Sequence, residues 1–139
     1  MRSDGEMGAR PSVPIKSYRQ LRVWQLGMEL TRNVYGLCQG FPKHEVYGLT
    51  SQIRRAAVSV PANIAEGHMR DSTKEFLHHI SIAWGSLAEV ETLTLLSVDL
   101  QYCSSARAQA VLDNCAEESR MLRSLRDRLK GRGNTGERG

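Results

Sequence analysis

Near its C-terminal end the chain sets Ala108, Val111, Cys115, Glu118, Leu122, Leu125 and Leu129 at intervals that alternate between three and four residues. An α-helix puts such positions on one face, whereas a strand would send them to both sides of a sheet. The seam is three heptads long and predicts a helix from about Ser105 to Lys130, packed along most of its length. Such a stripe has to be covered by other elements, so this helix implies helical partners. One glutamate, Glu118, interrupts an otherwise apolar line.

The rest of the chain supplies three partners. Punctuation falls at Gly40–Pro42, Gly67–Ser72 and the Tyr102–Ser105 stretch, and no segment alternates with period two. Tyr18 to Gln39 carries Trp24, Gly27, Thr31, Val34, Cys38 and Phe41 on one stripe and Val23, Leu30 and Leu37 on another. Gly40 is the expected cap. About Lys43 to Glu66 carries Leu49, Ile53, Ala57, Val60 and Ile64, with Pro61 inside the stripe. Proline lacks a backbone donor and crowds the carbonyl four residues back, which predicts a kink or tightened turn near Ala57–Ala62. About Ser72 to Leu100 opens with the capping-box spacing of Ser72 and Glu75. It continues with Phe76, Ile80, Ala83, Leu87, Val90 and Thr94, flanked by Leu77, Trp84, Leu93, Leu96 and Val98. Gly131 is the expected end of the last helix.

Four amphipathic helices on short connections predict an all-α, antiparallel up-down four-helix bundle. The predicted organisation is a disordered leader over 1–16, the bundle over 17–130 and a flexible tail over 131–139. The apolar faces are wider than one small bundle needs. That surplus predicts burial against copies of the chain, in a cyclic homo-oligomer. The 139 residues fit one domain. No apolar run approaches a membrane span of about 18 residues, and the N-terminus lacks the apolar stretch of a secretory signal. Three cysteines without CxxC spacing point away from a disulfide framework and toward a reducing cytoplasm.

Catalytic motifs are sparse. Phosphate-binding glycine loops, a GxSxG elbow and HExxH are absent. Glu75 and His79 are four residues apart on one helix face, the ordinary spacing of a surface ion pair. A metal-binding or enzymatic bundle would have to be built on Glu75, His79 and Glu89, without the paired Glu-x-x-His of di-iron bundles. We expect no metal, no cofactor and no catalytic residue. Cys38 and Cys115 fall on apolar stripes and read as core residues. Gln52, Arg55, Ser59, Asn63 and Glu66 form a polar stripe on the second helix, and Ser86 and Glu89 adjoin the apolar face of the third. This set is either a solvated face or a structural polar seam in which Arg55 pairs with Glu89 or Glu66. We read it as the seam, because buried polar pairs specify register and assembly.

The charge is +4, and fifteen of the nineteen basic residues are arginine, which grips phosphates in bidentate fashion. Arg120, Arg123, Arg126, Arg128 and Lys130 crowd the end of the fourth helix against Asp127. The helix dipole accounts for the last cations better than for Arg120 and Arg123. Arg54, Arg55, Arg70 and Lys74 form a second group around the end of helix two. A ring of copies would multiply this field. The expected nucleic-acid contacts are Arg54, Arg70, Lys74, Arg120, Arg123, Arg126 and Lys130, made to phosphates without sequence readout.

The run from Tyr47 to Gly67, with Gln52-Ile-Arg-Arg55 and Asn63-Ile-Ala-Glu66-Gly67, resembles the bacterial four-helix-bundle family of 23S rRNA intervening-sequence proteins. The accessory variability proteins of diversity-generating retroelements are relatives of that family. Leu21-Arg-Val-Trp24, Phe41-Pro42, Phe76, Ala83-Trp-Gly85-Ser86-Leu-Ala-Glu89 and Met121-Leu122 extend the resemblance over about Tyr18 to Lys130. Trp84 departs from it, since the family usually has a smaller aliphatic residue there. The resemblance implies a ring, typically a homopentamer. Some relatives bind nucleic acid and a reverse transcriptase, and no member class is an established enzyme. RNA or DNA and a reverse transcriptase or other nucleoprotein are thus the implied partners. The alternative is a scaffolding oligomer that binds a protein and no nucleic acid.

Overall fold

A computed structural model describes residues 17–138, with side chains placed for 17–131. The leader expected over 1–16 lies outside the described residues. Four helices follow in order: α1 Arg22–Cys38, α2 Leu49–His68, α3 Thr73–Asp99 and α4 Ser105–Arg138. Short 3-10 turns at Tyr18–Gln20 and Lys43–Glu45 precede α1 and α2. Helix α1 packs on α2 and α4, and α3 packs on α2 and α4. This is a four-helix bundle with no strand among the described residues.

All seven positions of the α4 seam are buried, Glu118 included. Val111, Cys115, Leu122, Leu125 and Leu129 of the seam meet Leu30 and Val34 of α1, Ile53, Val60 and Ile64 of α2, and Ile80, Leu87 and Val90 of α3 in one core. Burying a Leu or Ile side chain contributes about 1.5–3 kcal/mol, so these rows hold the helices in register.

The connections are set by specific atoms. Helix α2 starts at Leu49 rather than near Lys43, because Glu45 Oε1 accepts from Leu49 N–H at 2.9 Å. Tyr102 O–H donates to the other oxygen of Glu45 at 2.8 Å, tying the α3–α4 turn to the α1–α2 turn. Those two hydrogen bonds hold the Glu45 carboxyl below its usual range. At α3 the Ser72 hydroxyl accepts from Glu75 N–H at 3.0 Å, the forward half of the expected capping box. Helix α3 ends in a Schellman turn with Gln101 left-handed, φ 63°, and Tyr102 N–H reaching Ser97 O at 2.9 Å. Ser104 caps α4 by accepting from Arg107 N–H at 3.1 Å.

Two expectations are corrected. Helix α2 is α-helical through Pro61, so of the kink or tightened turn expected near Ala57–Ala62 the turn does not form. Pro61 removes the donor that Ala57 O would receive, and the Thr31 hydroxyl of α1 stands in for it, sharing its one proton between Ala57 O at 3.1 Å and Gly27 O at 2.9 Å. Gly27 gives the proline ring room, since a Cβ there would stand 3.3 Å from Pro61 Cβ. Likewise Gly131 does not end α4, whose backbone stays helical to Arg138 across most of the segment expected to be a tail. No described glycine has a positive φ, so Gly131 lacks the left-handed geometry of a cap.

Candidate nucleic-acid interface

Seven buried positions give α4 one inward face, so its arginines are pushed outward. Arg120, Arg123, Arg128 and Lys130 are exposed along roughly 15 Å of helix. Arg126 is half-buried and already engaged. Its guanidinium carbon lies 4.9 Å from the Trp84 ring centroid, and its Nη2 lies 3.3 Å from Asp127 Oδ1. Trp84 Nε1–H donates to Ser119 Oγ at 3.1 Å. The bulky Trp84 therefore fills the α3–α4 boundary and holds Arg126 against it, which leaves Arg126 less available than its neighbours.

The second predicted group divides. Arg54 is half-buried, with its guanidinium carbon 4.6 Å from the Tyr35 ring centroid and its Nε buried with no hydrogen-bond partner among the described residues. It also acts on Cys38: burial pushes that thiol up and Arg54 pulls it down. Arg70 lies sixteen residues further along, roughly 24 Å away, so Arg54 does not share a surface with it. Arg70 and Lys74 are exposed on the α2–α3 turn.

Arg70 instead lies beside the turn that opens the bundle. Tyr18 of that turn and Ala65, Glu66, Met69 and Arg70 line one groove. Leu21, Arg22, Met121, Leu125 and Arg128 line another on its far side. The Tyr18–Gln20 turn thus gathers exposed Arg19, Arg22, Arg70 and Arg128 at the end of the bundle that also carries Arg123 and Lys130. Arg19, Arg22 and Arg128 were not among the residues expected to bind. Their pattern is the ordinary polar edge of two helices, and only the packing of α1 on α4 brings it together.

The polar seam forms with different members. Ser86 Oγ donates to Ser59 Oγ at 2.8 Å, and Asn63 Nδ2 donates to Ser59 Oγ at 3.0 Å and to Ser59 O at 2.9 Å. His79 Nδ1 lies 3.0 Å from Asn63 Oδ1. Gln52, Arg55, Glu66 and Glu89 are exposed, and Arg55 pairs with neither glutamate among the described residues. The seam joins α2 to α3 through small polar side chains, and His79 turns to Asn63 rather than to Glu75. Long charged side chains reach water at lower cost than they pair inside, so the small polar residues take the interior places.

Among the described residues no group of three or more His, Cys, Asp or Glu could hold a metal ion. Burial, helped by Glu91 and Glu118, pushes the Cys115 thiol up to about 12. A thiol so poorly ionised is a packing element rather than a nucleophile. No helix among the described residues is long and apolar enough to cross a membrane.

Comparisons with known proteins agree with this architecture. A solved structure of a protein of unknown function from the S23 ribosomal protein family, from Bacteroides thetaiotaomicron VPI-5482, superposes with a TM-score of 0.68 at 20% identity. The match covers 75% of this chain and 97% of that one. No curated protein matches the chain. The family model described as 23S rRNA-intervening sequence protein matches residues 19–124, which take in α1, α2, α3 and most of α4, and the chain therefore belongs to that family.

Proposed function

We propose that this chain is a non-enzymatic, cytoplasmic binding protein that acts as a cyclic homo-oligomer, a pentamer by preference, and holds structured nucleic acid through phosphate contacts. The exposed cations at one end carry the reading. Arg120, Arg123, Arg128 and Lys130 are exposed on α4, Arg22 lines one groove with Arg128, Arg70 and Lys74 are exposed at the α2–α3 turn, and the one ion pair among the described residues is Arg126–Asp127. Unpaired arginines on rigid helices are suited to bidentate phosphate contact. Within this reading the helices run antiparallel. Thr31 meets Ala57 one turn after Gly27 meets the Pro61 ring, so α1 and α2 run in opposite senses. Exposed Ile82, Leu95 and Leu96 on α3 and Val58 on α2 supply apolar area for contacts between copies.

The test is a pair of charge-removing variants. Arg120→Gln with Arg123→Gln should weaken binding of an RNA hairpin or duplex DNA at low salt across unrelated sequences, and should reduce the salt slope by about one per lost contact. Arg126→Gln should weaken it less. Unchanged affinity in the double variant would refute the site.

A second reading is favoured by Tyr47 and Val46, exposed at 95% and 49% in the α1–α2 turn. In it the oligomer is a scaffold for a protein such as a reverse transcriptase, with no nucleic-acid role of its own. Tyr47→Ser would then abolish partner binding while the arginine variants left it intact.

A further inference from the structure

Glu118 is the one carboxyl among the described residues that is completely buried. It stands in the α4 seam beside Gly27 of α1, which also meets Pro61 of α2. A Cβ built on Gly27 would lie 3.1 Å from Glu118 Oε2 and 3.3 Å from Pro61 Cβ. Neither carboxyl oxygen has a hydrogen-bond partner among the described residues. Three buried or half-buried hydroxyls are engaged with backbone carbonyls instead. Thr31 serves Gly27 O and Ala57 O, Thr94 serves Val90 O at 2.7 Å, and Ser97 serves Leu93 O at 2.7 Å.

The charges around it do not compensate for burial. On α4 it has Glu117 beside it and the Cys115 thiol one turn back. Helix α1 offers Arg22, which is exposed in its first turn. Helix α2 brings Pro61 to the same Gly27, and Glu91 of α3 acts on the same Cys115. An unpaired carboxylate in such a place is far more costly than a neutral acid.

We propose that Glu118 is carried as a neutral carboxylic acid inside the bundle, and that its ionisation is a pH-sensitive release of the α1–α2–α4 junction. The proton leaves to solvent, and the carboxylate is drawn toward Arg22, where the start of α1 has no side-chain cap. A Gln-sized neutral group keeps the junction closed; a charge at the same place opens it. Burial first, and Glu117 second, push this carboxyl up to about 8, while Arg22 pulls it down. A folded-state value above the unfolded one means that the folded chain holds the proton more tightly. The stabilisation is complete at pH values below about 4.5, declines as pH rises toward about 8, and is gone above that. Between those limits the folding constant should fall by roughly tenfold per pH unit.

The experiment is a carboxyl-carbon NMR titration of the full chain from pH 5 to 9, with urea unfolding across the same range at fixed protein concentration. The Glu118 resonance, assigned by its loss in Glu118→Gln, should keep a protonated shift at pH 6 and titrate near pH 8. Wild-type stability should decline over that range, and Glu118→Gln should flatten the decline. Arg22→Gln should move the midpoint upward, which a purely packing role for Glu118 would not do. If Glu118→Gln does not fold, the wild-type resonance and its displacement in Arg22→Gln still decide. A carboxylate shift for Glu118 at pH 6, or a pH dependence that survives intact in Glu118→Gln, would overturn the proposal.

Discussion

Replacing Gly67 by alanine should destabilise the bundle, although alanine is normally the better helix former. The intrinsic gain is about 1 kcal/mol in a helix interior, and less this close to the end of α2. Against it stands the lack of space. The new Cβ would lie 2.7 Å from Phe76 Cδ1 and 2.8 Å from His79 Cβ. Carbon atoms in contact prefer about 3.5–4.0 Å, so the neighbours must give by nearly 1 Å. Neither gives easily. His79 is held by Asn63, and Phe76 packs edge-on against His68 with ring centroids 5.9 Å apart. Overpacking of this kind costs about 1–3 kcal/mol, leaving a net loss of up to about 2 kcal/mol. Gly85→Ala is the control, because nothing lies within 4 Å of its added Cβ. It should gain up to about 1 kcal/mol. Urea unfolding followed by far-UV circular dichroism, at one protein concentration, should separate the two midpoints on opposite sides of wild type. A Gly67→Ala protein as stable as Gly85→Ala would refute the close α2–α3 approach.

Thr31→Val should cost about 1–2 kcal/mol by leaving Ala57 O without its donor, and Pro61→Ala, which restores a backbone N–H to that carbonyl, should shrink the loss in a double-mutant cycle. Additive effects would show that Thr31 does not stand in for the missing amide. Gln101→Gly should stabilise the protein by roughly 0.5–1 kcal/mol, since Gln101 occupies a left-handed position that glycine adopts without strain. An unchanged urea midpoint would count against that turn. Cys115, with its thiol pushed up to about 12, should resist a thiol reagent at pH 8 until urea unfolds the chain, while half-buried Cys103 reacts first. Labelling of native Cys115 at the rate of Cys103 would contradict the packing.

The bundle was legible because helix packing writes itself into spacing. The α4 seam was readable position by position, and Ser72 announced the start of α3. Pro61 misled because its remedy lies on another helix. Thr31 is 26 residues distant, and nothing in the local pattern of α2 points to it. The long α4 was missed because glycine signals a cap only when its φ turns positive, which spacing does not reveal. In the candidate site, exposure on α4 could be inferred for Arg120, Arg123 and Lys130 as the complement of the buried seam. The engagement of Arg54 with Tyr35 and of Arg126 with Trp84 could not, since both depend on aromatic rings presented by neighbouring helices. The seam was found in the right place with some wrong members. Sequence spacing marks a polar stripe but does not weigh the cost of burying Arg55 against that of burying Ser59 and Asn63.

The most direct measurement of the proposed function is the affinity of the full chain for a structured RNA hairpin and for duplex DNA across a salt series, with the mass of the complex recorded on the same samples. The account predicts an oligomer that binds at low salt and loses affinity linearly in the logarithm of salt concentration, with a slope reflecting several phosphates neutralised together. A well-formed oligomer that binds neither probe at low salt, or affinity that does not respond to salt, would contradict it.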